Sequence, residues 1–119
     1  MLAGTLALLL LSPAAADRPS AEDAPAVLAA FESMAKSGAI GPCKRFFPEH
    51  AAEFGRAYES WLRGNSGLIE RGERIARAAA ESGGAQAAPF DVREAEAQTS
   101  SMLRDLPVKE RLRFCRQYF

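Results

Sequence analysis

The sequence has one histidine, two cysteines and no net charge, because 15 lysines and arginines are matched by 15 aspartates and glutamates. Each scarcity closes off a class of protein. One histidine and two widely spaced cysteines cannot supply the CxxC pairs or clustered histidines of zinc, haem or thioredoxin-like centres, so no metal or cofactor is expected. A neutral chain has no long-range attraction for nucleic acid. No apolar run reaches the roughly 18 to 20 residues needed to cross a bilayer, so the processed chain is not expected to span one. Alternating stretches that would make strands are missing, as are internal repeats, a Gly-x-Ser-x-Gly elbow and a glycine-rich loop followed by lysine. What remains at 119 residues, 48% apolar and 25% charged, is one small globular domain.

The absence of charge is also local. Met1 to Ala16 contains none, and all the charged residues fall after it. Thr5 to Leu11 is a short apolar run, Ser12-Pro13 breaks it, and Ala14-Ala15-Ala16 offers the small residues a signal peptidase requires. Residues 1–16 therefore read as a secretory signal, although no lysine or arginine precedes the apolar run, and 17–119 as a single exported helical domain, periplasmic or secreted. The alanine-rich composition, with arginine favoured over lysine, points to a bacterial source. In an oxidising compartment Cys43 and Cys115 are most simply one intramolecular disulfide. Closing a loop of that length restricts the unfolded chain by about 4 kcal/mol in the chain-entropy account, a large share of the stability of a small domain.

What is present is helical periodicity. Pro25 suits a first turn, and Val27, Leu28, Phe31 and Met34 follow at helical spacing until Gly38, which is expected to end the first helix. Ala39 to Phe47, with Gly41 and Pro42, reads as a loop carrying Cys43. Pro48 and Glu49 open a second helix. Its stripe of Ala51, Phe54, Tyr58, Trp61 and Leu62 continues in phase through Asn65, Leu68, Gly72, Ile75 and Ala79. That register favours one long helix to about Ser82, bent near Gly64-Asn65-Ser66-Gly67, over two helices meeting at a corner. The pairs Glu59 with Arg63, Glu70 with Arg74 and Glu73 with Arg77 make the outer face a solvated one. Ala85 to Pro89 is a linker, and Asp91 with Glu94 has capping-box spacing for a third helix bearing Val92, Ala95, Thr99, Met102, Leu103 and Leu106. Pro107 opens a last helix with Val108, Leu112, Cys115 and Phe119 on one side. The expected fold is all-α, a small bundle of four or five helical segments with one disulfide.

Catalytic chemistry is thin. His50, beside Glu49 and one turn before Glu53, reads as a structural first-turn residue, and Met34 with His50 does not make a haem signature. Arg56, Arg63, Arg71 and Arg74 are the candidates for a small exported all-helical enzyme acting on an anionic metabolite, but Arg63 and Arg74 already fit the wet-side pairs. The disulfide draws together a sharper constellation. It brings Lys44 and Arg45 to the helix carrying Lys109, Arg111, Arg113 and Arg116, beside Phe46, Phe47, Phe114, Tyr118 and Phe119. Six cations and several aromatics at one end of a neutral protein are the composition of a partner-binding patch. The expectation is a binding protein without catalysis, such as an inhibitor, immunity-type or accessory factor of the bacterial envelope. Its partner would be an acidic protein surface, or in an alternative reading anionic lipid headgroups, and not nucleic acid.

Overall fold

The computed structural model describes residues 21–83 and 90–119. The expected signal segment 1–16, its boundary before Asp17 and the expected linker Ala85 to Pro89 lie outside the described residues. Within them the chain is all-α, in the order α1 (Ala24–Phe46), a 3-10 turn (Pro48–His50), α2 (Ala51–Gly83), α3 (Val92–Asp105) and α4 (Val108–Tyr118).

The first helix corrects the expected one. It does not stop at Gly38 but runs 23 residues, through Gly41 and Pro42, to Phe46, so the expected loop of residues 39–47 is helix apart from its last residue. Gly38 is buried against α3, where an added Cβ would stand 2.6 Å from the Ala95 Cβ, so it serves close helix packing and not termination. Pro42 removes one internal hydrogen bond, at a usual cost of about 3 kcal/mol or more. It is among the fully buried residues, beside Cys43, and that burial works against the cost. The true stop is Pro48: the residue before a proline is pushed out of the α region, and Phe47 sits at φ −132°, ψ 70° while its N–H bonds the Cys43 carbonyl.

The buried face of α1 is also not the expected one. Leu28 and Phe31 are 61% and 59% exposed, whereas Ala26, Ala29, Ala30, Gly38 and Ala39 face inward. Small residues win that face because α2 comes so close. At Gly72 an added Cβ would lie 2.0 Å from the Ala26 carbonyl oxygen and 2.8 Å from the Ala30 Cβ, a separation that no larger side chain permits.

In α2 the long-helix reading holds. The 33 residues are continuous through Gly64-Asn65-Ser66-Gly67. Asn65 donates from Nδ2 to the Trp61 carbonyl at 2.8 Å and Ser66 from Oγ to that of Arg63 at 3.4 Å, so the polar side chains of the tetrapeptide bond back into the helix and cap no break. Phe54 and Gly72 are buried and Tyr58, Trp61, Leu62, Asn65, Ile75 and Ala79 half-buried, with Ile69 taking the inward position expected for Leu68. Glu59, Arg63, Glu70, Glu73, Arg74 and Arg77 are exposed, as a solvated face requires, without closing the three expected pairs.

Asp91 caps α3, its Oδ1 accepting from the N–H of Arg93 at 2.9 Å and of Glu94 at 3.4 Å. Of the expected α3 stripe, Leu103 is fully buried while Val92 and Met102 are exposed. In α4 Cys115 is buried and Val108 is exposed. The core gathers where the helices converge: Cys43, Phe54, Leu103 and Cys115 are buried together, with Ile40, Phe46, Phe47, Leu106, Leu112, Phe114 and Phe119 packed around them. Cys43 and Cys115 stand at disulfide distance, Cα to Cα 5.7 Å, across 72 positions of sequence. Among the described residues no helix is long and apolar enough to cross a membrane.

Candidate functional site

The disulfide fastens the C-terminal turn of α1 to the C-terminal half of α4, and with them all six expected cations. Lys44 and Arg45 lie in the last turn of α1, where positive charge also complements the helix dipole. Their side chains are engaged very differently. Arg111 is spent on structure: its Nε donates to the Leu106 carbonyl at 2.8 Å, its Nη2 to that of Arg104 at 2.9 Å, and its guanidinium lies 5.8 Å from the Phe46 ring centre. It therefore holds the α3–α4 corner by satisfying carbonyls at the end of α3.

Arg45 pairs with Glu96 at 3.6 Å, Arg113 with Glu110 at 3.1 Å and Arg116 with Glu53 at 4.0 Å. These guanidinium side chains are 50 to 61% exposed, so the pairs hold weakly and leave the charges available. Lys44 and Lys109 make neither a hydrogen bond nor an ion pair with the described residues. Lys109, Arg113 and Arg116, with Leu112 and Gln117, line a surface cavity of about 450 Å³ along α4.

The aromatic members are placed differently from the cations. Phe46, Phe47, Phe114, Tyr118 and Phe119 are all half-buried. Phe114 and Tyr118 pack with ring centres 4.9 Å apart, and Phe119 contacts Tyr118, Tyr58 and Phe54 at 5.4, 5.9 and 6.2 Å. The end beside the disulfide is thus a basic surface laid over an aromatic floor that belongs largely to the core.

Sequence reasoning missed the residue most deeply set in this floor. Lys36 of α1 is only 9% exposed, the one buried charged residue among those described. Its ammonium donates to the Tyr118 carbonyl and faces the rings of Trp61, Tyr118 and Phe119, with centres 5.0, 5.0 and 5.8 Å away. Loss of hydration pulls Lys36 below the ordinary lysine value, and the Glu32 carboxylate opposes the shift. Desolvation pushes the Tyr118 hydroxyl upward, with Glu32 adding to it, and burial does the same to Tyr58. One signal was there to be read: Ala29, Lys36 and Cys43 follow one another at steps of seven, which puts the lysine on the inward face once α1 is continuous through Gly38.

A second feature unseen in the sequence is an apolar groove of about 550 Å³ lined by Val27, Ala30, Phe31, Met34, Ala35, Gly72, Ala76 and Phe90. His50 is half-buried, with Nδ1 3.1 Å from Glu53 Oε2 and its ring 6.5 and 6.0 Å from Phe47 and Phe54, a packed position on the turn between α1 and α2. Among the described residues no three potential metal ligands come together. Arg56, Arg63, Arg71 and Arg74 are all exposed along α2, Arg71 paired with Asp23, and none lines either cavity.

Fold and site together define a class, small all-α bundles closed by one disulfide and basic at the bridged end. No protein-family model matches the chain, and no curated protein or solved structure matches it either.

Proposed function

We propose that this chain is a small exported bacterial protein that works by binding another protein of the envelope, as an inhibitor, immunity-type or accessory factor, and that it catalyses no reaction. The observation that carries the reading is the exposure of positive charge beside the bridge. Lys44, Lys109, Arg113 and Arg116 stand in solvent over aromatic packing and the disulfide, so the backbone that carries them is already folded and the ordering cost of binding an acidic partner falls on the four side chains themselves. The bridged cysteine pair suits an oxidising compartment, periplasmic or extracellular. Anionic lipid is the weaker reading. Membrane-surface binders add apolar side chains to their cations, and at this end the aromatics are half-buried, leaving Val108 as the one exposed large apolar residue of α4.

The test is capture from envelope extract on the oxidised protein, compared with Lys109→Glu/Arg113→Glu and with Arg63→Glu on the outer face of α2. A partner held by the wild type and by Arg63→Glu, released by raised salt and lost from the double variant, is the expected result. A partner retained equally by all three proteins would place the interface elsewhere. Arg111 is left intact because its loss would undo the α3–α4 corner.

A further inference from the structure

The binding reading can be carried to the chemistry of the contact. We infer that Lys109, Arg113 and Arg116 form a three-point clamp for carboxylates presented along one face of a partner's helix, with the apolar part of that face resting on Leu112 and the arginine stems. This rests on the proposed role of the basic end as a protein-binding surface.

The spacing comes first. Positions 109, 113 and 116 are i, i+4 and i+7 of α4, so the three cations share one face over about 10 Å of helix. The same three residues line one cavity with Leu112 and Gln117, so they border a common concave space instead of radiating apart. A facing helix carrying glutamate or aspartate at the same intervals repeats that pitch, and each arginine can take a carboxylate through two parallel N–H donors.

The charges are also exchangeable. Arg113 and Arg116 are held by Glu110 and Glu53 in pairs that are 61% and 50% exposed on the arginine side, and Lys109 has no partner among the described residues. Such pairs cost little to break, and a partner carboxylate in bidentate geometry displaces a single contact as long as 4.0 Å at Arg116. Glu110 and Glu53 give the clamp selectivity, since an occupant must offer carboxylates placed well enough to displace them.

The occupant's backbone decides between a helix and an extended segment. All the regular structure described here is helical, so α4 offers no strand edge to pair with an extended peptide. A helix satisfies its own N–H and C=O groups and needs only a side-chain match, as in other helix-on-groove contacts.

Two synthetic helical peptides of identical composition test the inference by fluorescence anisotropy. One carries glutamate at i, i+4 and i+7 with leucine at i+3; the other distributes the same residues around the helix. Vesicles of phosphatidylglycerol in phosphatidylcholine form the lipid arm. The aligned peptide is expected to bind the oxidised protein at least tenfold more tightly than the redistributed one. The preference should shrink about tenfold in Lys109→Gln/Arg113→Gln and partly in Arg116→Lys, with the helical circular dichroism and melting temperature of each variant near wild type. Equal binding of the two peptides would overturn the clamp and leave a basic protein-binding end standing. Binding to the vesicles with neither peptide bound would overturn both readings in favour of lipid headgroups. No binding in either arm, while envelope capture still depends on Lys109 and Arg113, would overturn the helical clamp alone.

Discussion

The two ends of this bundle are held by opposite means. At the bridged end Cys43, Phe54, Leu103 and Cys115 are buried under a layer of aromatic rings, and covalent and large-side-chain packing supply the cohesion. At the other end α1 and α2 meet through alanine and glycine, with Gly72 against the Ala26 carbonyl, and the large apolar residues Leu28 and Phe31 stay in solvent. Tightness at the first end comes from filling space and at the second from removing it. The difference teaches what each end resists: the aromatic end loses stability when a buried side chain is trimmed, whereas the glycine seam has no room for a methylene to be added.

The comparison can be broken most forcefully at the bridge. Cys43→Ser/Cys115→Ser, or reduction of the native protein, is expected to cost about 4 kcal/mol in the chain-entropy account and to lower the melting temperature sharply by calorimetry. An unchanged melt would mean that the aromatic layer alone holds this end. Next comes the seam. Gly72→Val should destabilise by about 1 to 3 kcal/mol or more in urea titration, because the new atoms collide with backbone and not with a movable side chain.

A smaller effect sharpens the picture at Lys36. In the folded protein this lysine releases its proton more readily than in the unfolded chain, so between its folded pKa and 10.5 the unfolded state binds more protons and stability rises with pH. Lys36→Met removes that rise. The stability of wild type relative to the variant should therefore increase as pH climbs toward 10.5, read from denaturant midpoints at a series of alkaline pH values. A gap independent of pH would show that the ring and carbonyl contacts hold the ammonium as firmly as water does. The smallest change runs the opposite way: Gly64→Ala and Gly67→Ala meet nothing within 4 Å and should stabilise α2 by about 0.5 to 1 kcal/mol each.

Four glycines, two in each long helix, mark how much of the fold was legible. Gly64 and Gly67 sit inside an unbroken apolar register, and the register foretold that α2 would run through them. Gly38 and Gly41 sit inside α1 in the same way, yet with Pro42 beside them they read as a stop, because the reason for a glycine at 38 is Ala95, 57 positions away in sequence and on another helix. A local pattern cannot distinguish a glycine that ends a helix from one that lets another helix approach. The same limit hid the inward face of α1: Leu28 and Phe31 look like core until α2 is seen to lie against the alanines. At the candidate site the residues were legible and their duties were not. Arg111 and Arg113 are indistinguishable as letters, but one satisfies carbonyls of the α3–α4 corner and the other points to solvent.

By itself the sequence determined the helical class, the continuity of α2, the Asp91 cap and the pairing of the only two cysteines. All of these follow from short-range periodicity, local hydrogen bonding or simple counting. Tertiary structure alone decided which face of α1 is buried, that Lys36 stands among three rings, and which of six cations remain available to a partner. Those outcomes depend on how closely helices distant in sequence approach one another, and that distance is set by small residues whose partners no local pattern names.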